Sequence, residues 1–116
     1  SAQEASQFIA AFYNNRTITD LGIHYNPPLE GVALGNSLSS LIQNMPQLHQ
    51  QRLACSYCVL RAEGVRAFQA ALQTNRTLKE LILWGCSLGN DGIRLIADAL
   101  VGNTIIDRLD IGNARR

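Results

Sequence analysis

Cys55-Ser56-Tyr57-Cys58 is a stretch whose residue types and spacing match a chemical motif. Two thiols separated by two residues can work as a redox pair or supply half of a zinc site. Zinc needs further ligands, yet no second Cys-x-x-Cys follows and no paired histidines stand at ligand spacing. His24 and His49 have no clustered carboxylates or cysteines near them in sequence, so neither has a visible partner for acid-base or nucleophilic work. No phosphate-cradling glycine loop, Gly-x-Ser-x-Gly or His-Glu-x-x-His occurs. The residues therefore predict no catalytic site, metal or cofactor.

Composition narrows the classes further. The chain has 116 residues, 47% hydrophobic and 16% charged, which is one globular domain's worth and too apolar for disorder. Ten Lys and Arg against nine Asp and Glu leave a formal charge of +1. That balance gives no basic field for nucleic acid and no polybasic anchor for a membrane. No apolar run approaches the roughly 20 residues of a bilayer span, and Ser1-Ala2-Gln3-Glu4 is unlike a signal peptide. Three cysteines, an odd and sparse number, favour a reducing compartment and hence a cytoplasmic protein. The Asn15 and Asn75 sequons would suit a secreted chain, but such triplets often arise by chance.

The elements that must carry these side chains are set by an internal repeat. Shifted by 28, Leu78, Leu81, Leu83 and Cys86 recur as Ile106, Leu109, Ile111 and Ala114. Going back by the same step, Leu81, Cys86, Leu88 and Gly92 fall on Leu53, Cys58, Leu60 and Gly64. The match runs on through Ile96/Phe68, Ala99/Ala71, Leu100/Leu72 and Asn103/Asn75. An upstream copy places Asn15, Ile18, Leu21, Ile23 and Asn26 at the same spacing. The second unit is irregular. Asn44 and Cys58 stand three positions further apart than Asn75 and Cys86, which predicts a bulge near Met45-Pro46-Gln47. Pro27, Pro28, Gly31 and Gly35 predict a damaged helix between Pro27 and Asn44.

Each unit reads as a short strand followed by a helix. Apolar residues alternate around Leu81 and Leu83, the period of a strand. Ile93, Ile96, Ala97 and Leu100 follow helical spacing, with Asn90-Asp91 as the expected N-cap, Gly64 and Gly92 expected to lead their helices, and Gly102 as the stop. Neither element can bury its apolar face alone, so units must stack.

Leu78-Lys79-Glu80-Leu81-Ile82-Leu83-Trp84-Gly85-Cys86-Ser87-Leu88 resembles the leucine-rich repeat consensus without a mismatch. The 28-residue period, and Cys alternating with Asn at the ninth position, are similar to the ribonuclease-inhibitor-like subclass. The resemblance is strongest from Leu53 to Asn113 and weaker from Pro27 to Gln51. It implies an α/β fold over residues 1–116: about three and a half repeats of a curved right-handed solenoid, a horseshoe segment with a parallel sheet on the concave side and helices on the convex side. Because the sequence starts and stops in mid-repeat, it is expected to be a piece of a longer array, with Phe8, Ile9 and Phe12 partly capping the first unit.

On that framework the cysteines have a structural reading. Cys55 takes the inward position of Leu83 and Ile111, while Cys58 and Cys86 sit under the strand-to-helix turn. Alternation sends the intervening residues to the concave face in columns. The columns are Asp20, Arg52, Glu80, Arg108; then Gly22, Ala54, Ile82, Asp110; then His24, Ser56, Trp84, Gly112, with Tyr25 and Tyr57 one residue on. The charges can pair across strands for roughly 0.2–1 kcal/mol each, or meet a partner. Trp84, Tyr57 and Tyr25 are stiff aromatics of the kind that make binding hot spots.

The resemblance implies a non-enzymatic module that binds a protein partner, not nucleic acid or membrane, on its concave face. The expected contacts are Trp84, Tyr57, Glu80, Arg52 and His24, with Asp20 and Arg108 beside them. A GTPase-activating regulator of a small GTPase is the main alternative, but no transition-state residue on a strand-to-helix loop or acidic tail is visible. A thiol or zinc protein built on Cys55 and Cys58 is another alternative. The last is a structural segment that self-associates through open repeat ends.

Overall fold

The computed structural model describes residues 2–11, 20–24, 29–44, 52–75 and 77–112. Strands and helices alternate along it in the order α1 (Ala2–Ala10), β1 (Asp20–His24), α2 (Gly31–Asn44), β2 (Arg52–Ser56), α3 (Arg61–Thr74), β3 (Glu80–Ile82), α4 (Gly89–Leu100) and β4 (Arg108–Asp110). The class is α/β, with one parallel four-stranded sheet in the order β1-β2-β3-β4. Consecutive strands are spatial neighbours, and each helix between them supplies the crossover that parallel pairing requires. The helices pack side by side in chain order, α1 on α2, α2 on α3 and α3 on α4.

One apolar core lies between the two layers. Leu53, Cys55, Leu81 and Leu83 meet Leu34, Leu38, Leu41, Phe68, Leu72, Ile96 and Ala99 there. The strand-to-helix turns are tied together by backbone bonds that extend the sheet. Tyr57 N–H donates to Trp84 O at 2.9 Å, Leu60 N–H to Cys86 O at 3.1 Å and Gly85 N–H to Gly112 O at 2.8 Å. No helix among the described residues is long and apolar enough to cross a membrane.

Four local expectations need correction. First, α2 is not damaged; it runs 14 residues, as long as α3. Gly31 enters it at φ +57°, a left-handed conformation that glycine adopts freely, and a Cβ on Gly35 would strike the Gly64 carbonyl of α3. These glycines serve close helix packing. Second, Asn90-Asp91 is not an N-cap: α4 begins at Gly89 after Leu88, with no side-chain capping bond. Asp91 lies in the first turn, where its charge suits the helix dipole. Third, Gly64 and Gly92 do not precede their helices but are buried inside the first turns, where neighbouring backbone comes close. Fourth, Ile9 is buried but Phe8 is 68% exposed, so Ile9 is the capping contact of the two. Phe12, the repeat positions Asn15, Ile18, Asn26 and Ala114, Pro27, Pro28 and the Met45-Pro46-Gln47 bulge lie outside the described residues.

Two side chains organise the helix-to-strand loops. Asn75 Oδ1 accepts from Leu78 N–H at 2.9 Å while its Nδ2 donates to Leu78 O at 2.9 Å. Asn103, one repeat on, accepts from Ile105 and Ile106 N–H and donates to Leu72 O at 3.0 Å. The Asn75 side chain of one sequon is thus buried with both ends of its amide bonded. Asn15 lies outside the described residues.

Candidate functional site

Pairing of the four strands fixes the columns of the sheet. Asp20, Arg52, Glu80 and Arg108 align, as do Gly22, Ala54, Ile82 and Asp110, while His24 pairs with Ser56. This is the register the repeat predicts, although the step from Asp20 to Arg52 is longer than the one that separates the later strands.

The charged column is a connected ladder. Arg52 Nη1 lies 3.0 Å from Asp20 Oδ1, its Nε 3.5 Å from Glu80 Oε2, and Arg108 Nη1 is 3.6 Å from that same oxygen. These groups are half-exposed, so each pair contributes at most about 1 kcal/mol. The ladder's main effect is to hold four long side chains in one row along the sheet.

The second column departs from expectation. Alternation turns Ala54 and Ile82 to the open face, yet they are buried, at 1% and 7% exposure. Gly22 stays exposed at the sheet's first strand.

Tyr57 and Trp84 come together at the end of the strands. Their rings meet edge to face, centroids 4.8 Å apart at 90°. Each aromatic lies over a glycine of the next turn. A Cβ on Gly85 would be 3.0 Å from the Tyr57 ring, and one on Gly112 would run into the Trp84 indole. Tyr57 nonetheless remains 54% exposed, while Trp84 is half-buried. Tyr57 also has φ +59°, where its structural equivalent is Gly85 at +70°. A bulky side chain in that region costs roughly 1–2 kcal/mol, and such strain clusters at functional positions.

Of the predicted site residues, Asp20, Arg52, Glu80 and Arg108 thus form one row, and Tyr57 and Trp84 a second cluster. His24 ends β1, but its side chain, together with Tyr25, His49 and Asn113, lies outside the described residues. Nothing at Tyr57 in the sequence itself signals the strain. It shows only when Tyr57 is compared with the glycine one repeat later.

The cysteines are buried and unbridged. Cys86 donates its thiol to Cys55 O at 2.7 Å, and Cys58 to Ile23 O at 3.7 Å, so each fastens its turn to the preceding strand. The Cys55 thiol is pushed well above its usual range, first by hydrogen bonds with the Cys58 and Cys86 thiols, then by burial. A thiol held protonated and covered is a poor nucleophile. Among the described residues no group of three or more His, Cys, Asp or Glu is placed to hold a metal ion.

Compared with protein-family models and with curated proteins, the chain matches none.

Proposed function

We propose that the chain is a protein-interaction module of the leucine-rich repeat kind, ribonuclease-inhibitor-like, and that it binds a protein partner without catalysing a reaction. In this reading the sheet is the concave face of a short right-handed solenoid and the helices its convex side. The repeat of strand, turn and helix supports the family reading, as do Cys58 and Cys86 bonding back to the preceding strand.

The observation that carries the binding reading is the Tyr57–Trp84 pair. Two large aromatics are held rigidly against neighbouring glycines, with Tyr57 exposed and its backbone strained. Rigid aromatics lose little freedom on binding and make good anchors. The charge ladder has its own internal partners, so Arg52, Glu80, Asp20 and Arg108 form a polar rim beside the anchor rather than its centre.

The test is affinity capture from an extract of the source organism with the wild type and a Tyr57→Ala/Trp84→Ala double variant, both shown folded by circular dichroism. A protein kept by the first and lost by the second supports the aromatic anchor. Equal capture by both rejects it.

A further inference from the structure

Tyr57 is not alone in its left-handed conformation. Arg61, in the same turn, has φ +58°, where its equivalent one repeat later is Gly89 at +66°. The turn is pinned from both sides: Gly31 N–H donates to Val59 O at 2.8 Å and Leu60 N–H to Cys86 O at 3.1 Å. Its neighbours therefore hold the strained angles in place, and glycine would adopt them without steric cost. Tyr57 offsets part of the strain by packing on Trp84. Arg61 has no such contact. Its Nη1 lies 3.6 Å from Glu63 Oε1 and 3.9 Å from Glu30 Oε1, and its side chain is 52% exposed. Both distances exceed hydrogen-bond length, so the planar fork of five donors makes no hydrogen bond among the described residues.

We propose that Arg61 is a second contact residue of the partner site, donating to backbone carbonyls of an extended, uncharged protein segment laid along the strand-to-helix turns. The inference rests on the aromatic-anchor reading and extends that site along the row of turns. Tyr57 lies over Gly85, towards the next turn, whereas Arg61 reaches Glu30, just before α2, towards the preceding one. The two side chains thus open from one turn in opposite directions. Neighbouring strands stand about 4.8 Å apart, so a path across three turns is roughly 10 Å long, the reach of about three extended residues. Charge selects the acceptor. One guanidinium stands against two carboxylates, so an acidic side chain on the partner would meet more repulsion than attraction. A basic side chain would compete with Arg61 for those carboxylates and leave its donors unused. A neutral carbonyl meets neither obstacle, and a hydrogen bond from a charged donor is among the stronger ones. Arg and Tyr are also enriched among the residues that dominate protein interfaces. Strain that has little offset in the free chain is then offset in the complex.

A phage-displayed library of random peptides, selected on the whole chain, supplies the probe, and fluorescence anisotropy reads the affinity of each enriched peptide. Enriched peptides are expected to share an aromatic or branched apolar residue with no fixed charge beside it. Arg61→Gly should weaken their binding about tenfold while raising the urea midpoint of the chain, so that the loss cannot come from unfolding. Arg61→Lys keeps the charge but not the planar fork and should not restore binding. Replacing peptide bonds of the probe one at a time by esters, whose carbonyls accept weakly, should reveal one that matters to the wild type and not to Arg61→Gly. Peptides that need Tyr57 and Trp84 but bind Arg61→Gly as tightly as the wild type would overturn this inference and leave the aromatic anchor standing. A fixed acidic or basic residue shared by the peptides, or no ester that separates the two chains, would also overturn it. No enrichment over a Tyr57→Ala/Trp84→Ala chain would overturn both.

Discussion

The turn that joins β2 to α3 and the turn that joins β3 to α4 share two left-handed positions filled by different residues, and differ at a third, where Ser87 in the later turn has φ +52° and its counterpart Val59 does not. In both, the chain passes through left-handed conformations at two equivalent places. The later turn uses Gly85 at +70° and Gly89 at +66°, the earlier one Tyr57 at +59° and Arg61 at +58°. Glycine takes these angles without steric cost. At these two places the backbone repeats, and the earlier turn keeps large side chains where the backbone disfavours them. What the two side chains do differs. Tyr57 packs on Trp84, while Arg61 makes long, exposed ion pairs with Glu30 at 3.9 Å and Glu63 at 3.6 Å. Strain at Tyr57 has an evident return in packing. At Arg61 it has little.

The largest effect is expected where the two turns enter their helices. A Cβ on Gly64 would sit 2.6 Å from Leu60 Cδ1 and 2.7 Å from the Gly31 carbonyl of α2, whereas one on Gly92 would be 3.1 Å from Leu88 Cβ and 3.6 Å from Ala62 Cα. Backbone cannot yield as a side-chain end can. Gly64→Ala should therefore destabilise by about 2–3 kcal/mol through overpacking. Gly92→Ala should stay within about 1 kcal/mol of the parent, since its mild crowding is offset by helix propensity. Urea unfolding of both variants makes the comparison, and equal losses would show that α2 and α3 are not in close contact.

The same two turns differ at their inward strand position, Cys55 in one and Leu83 in the other. Cys55 has a folded pKa raised by its neighbouring thiols and by burial. The folded state then keeps a proton that the unfolded chain releases above about pH 8.5. Stability is intact below that pH and falls above it by about 1.4 kcal/mol per pH unit for each thiol so held. Cys55→Leu should flatten the slope above about pH 8.5, and it also removes the neighbour whose thiol holds the Cys86 thiol below its usual range. An unchanged slope would place the retained proton elsewhere.

Much of this arrangement was legible in the sequence, for a definite reason. Period-two alternation and the internal repeat determine strand register, which is why the row from Asp20 to Arg108 could be read from the sequence, while the structural role of Cys58 and Cys86 comes from the resemblance those repeats carry. Alternation says which way Ala54 and Ile82 point, but not that they are buried there. Gly31 and Gly35 look like helix breakers because the opposing backbone of α3 that requires them is distant in sequence. Asn and Asp favour N-caps in general, which points to Asn90-Asp91, while here a left-handed glycine begins the helix one residue earlier.

Arg61 offers a test of strain apart from binding. Arg61→Gly removes the left-handed penalty, worth roughly 1–2 kcal/mol, and forfeits exposed ion pairs worth at most about 1 kcal/mol. The variant should be more stable by about 0.5–1 kcal/mol, read from the shift in its urea midpoint at unchanged slope. A loss of stability would mean that the pairs with Glu30 and Glu63 matter more than their length suggests.

Tyr57→Gly should change stability least and reveal most. Relief of the backbone strain, roughly 1–2 kcal/mol, is opposed by loss of the edge-to-face contact with Trp84, about 0.5–1.5 kcal/mol, and of the ring's cover over Gly85. The two nearly cancel, so the unfolding midpoint should barely move. Binding has no such compensation. If Tyr57 anchors a partner, removing its ring should weaken that complex at least tenfold, the scale of loss that truncating a hot spot brings. Tyr57→Phe, which keeps the ring, should retain most of the affinity. A marked gain in stability with binding untouched would assign the strained tyrosine no task in recognition and would move the anchor to Trp84 alone.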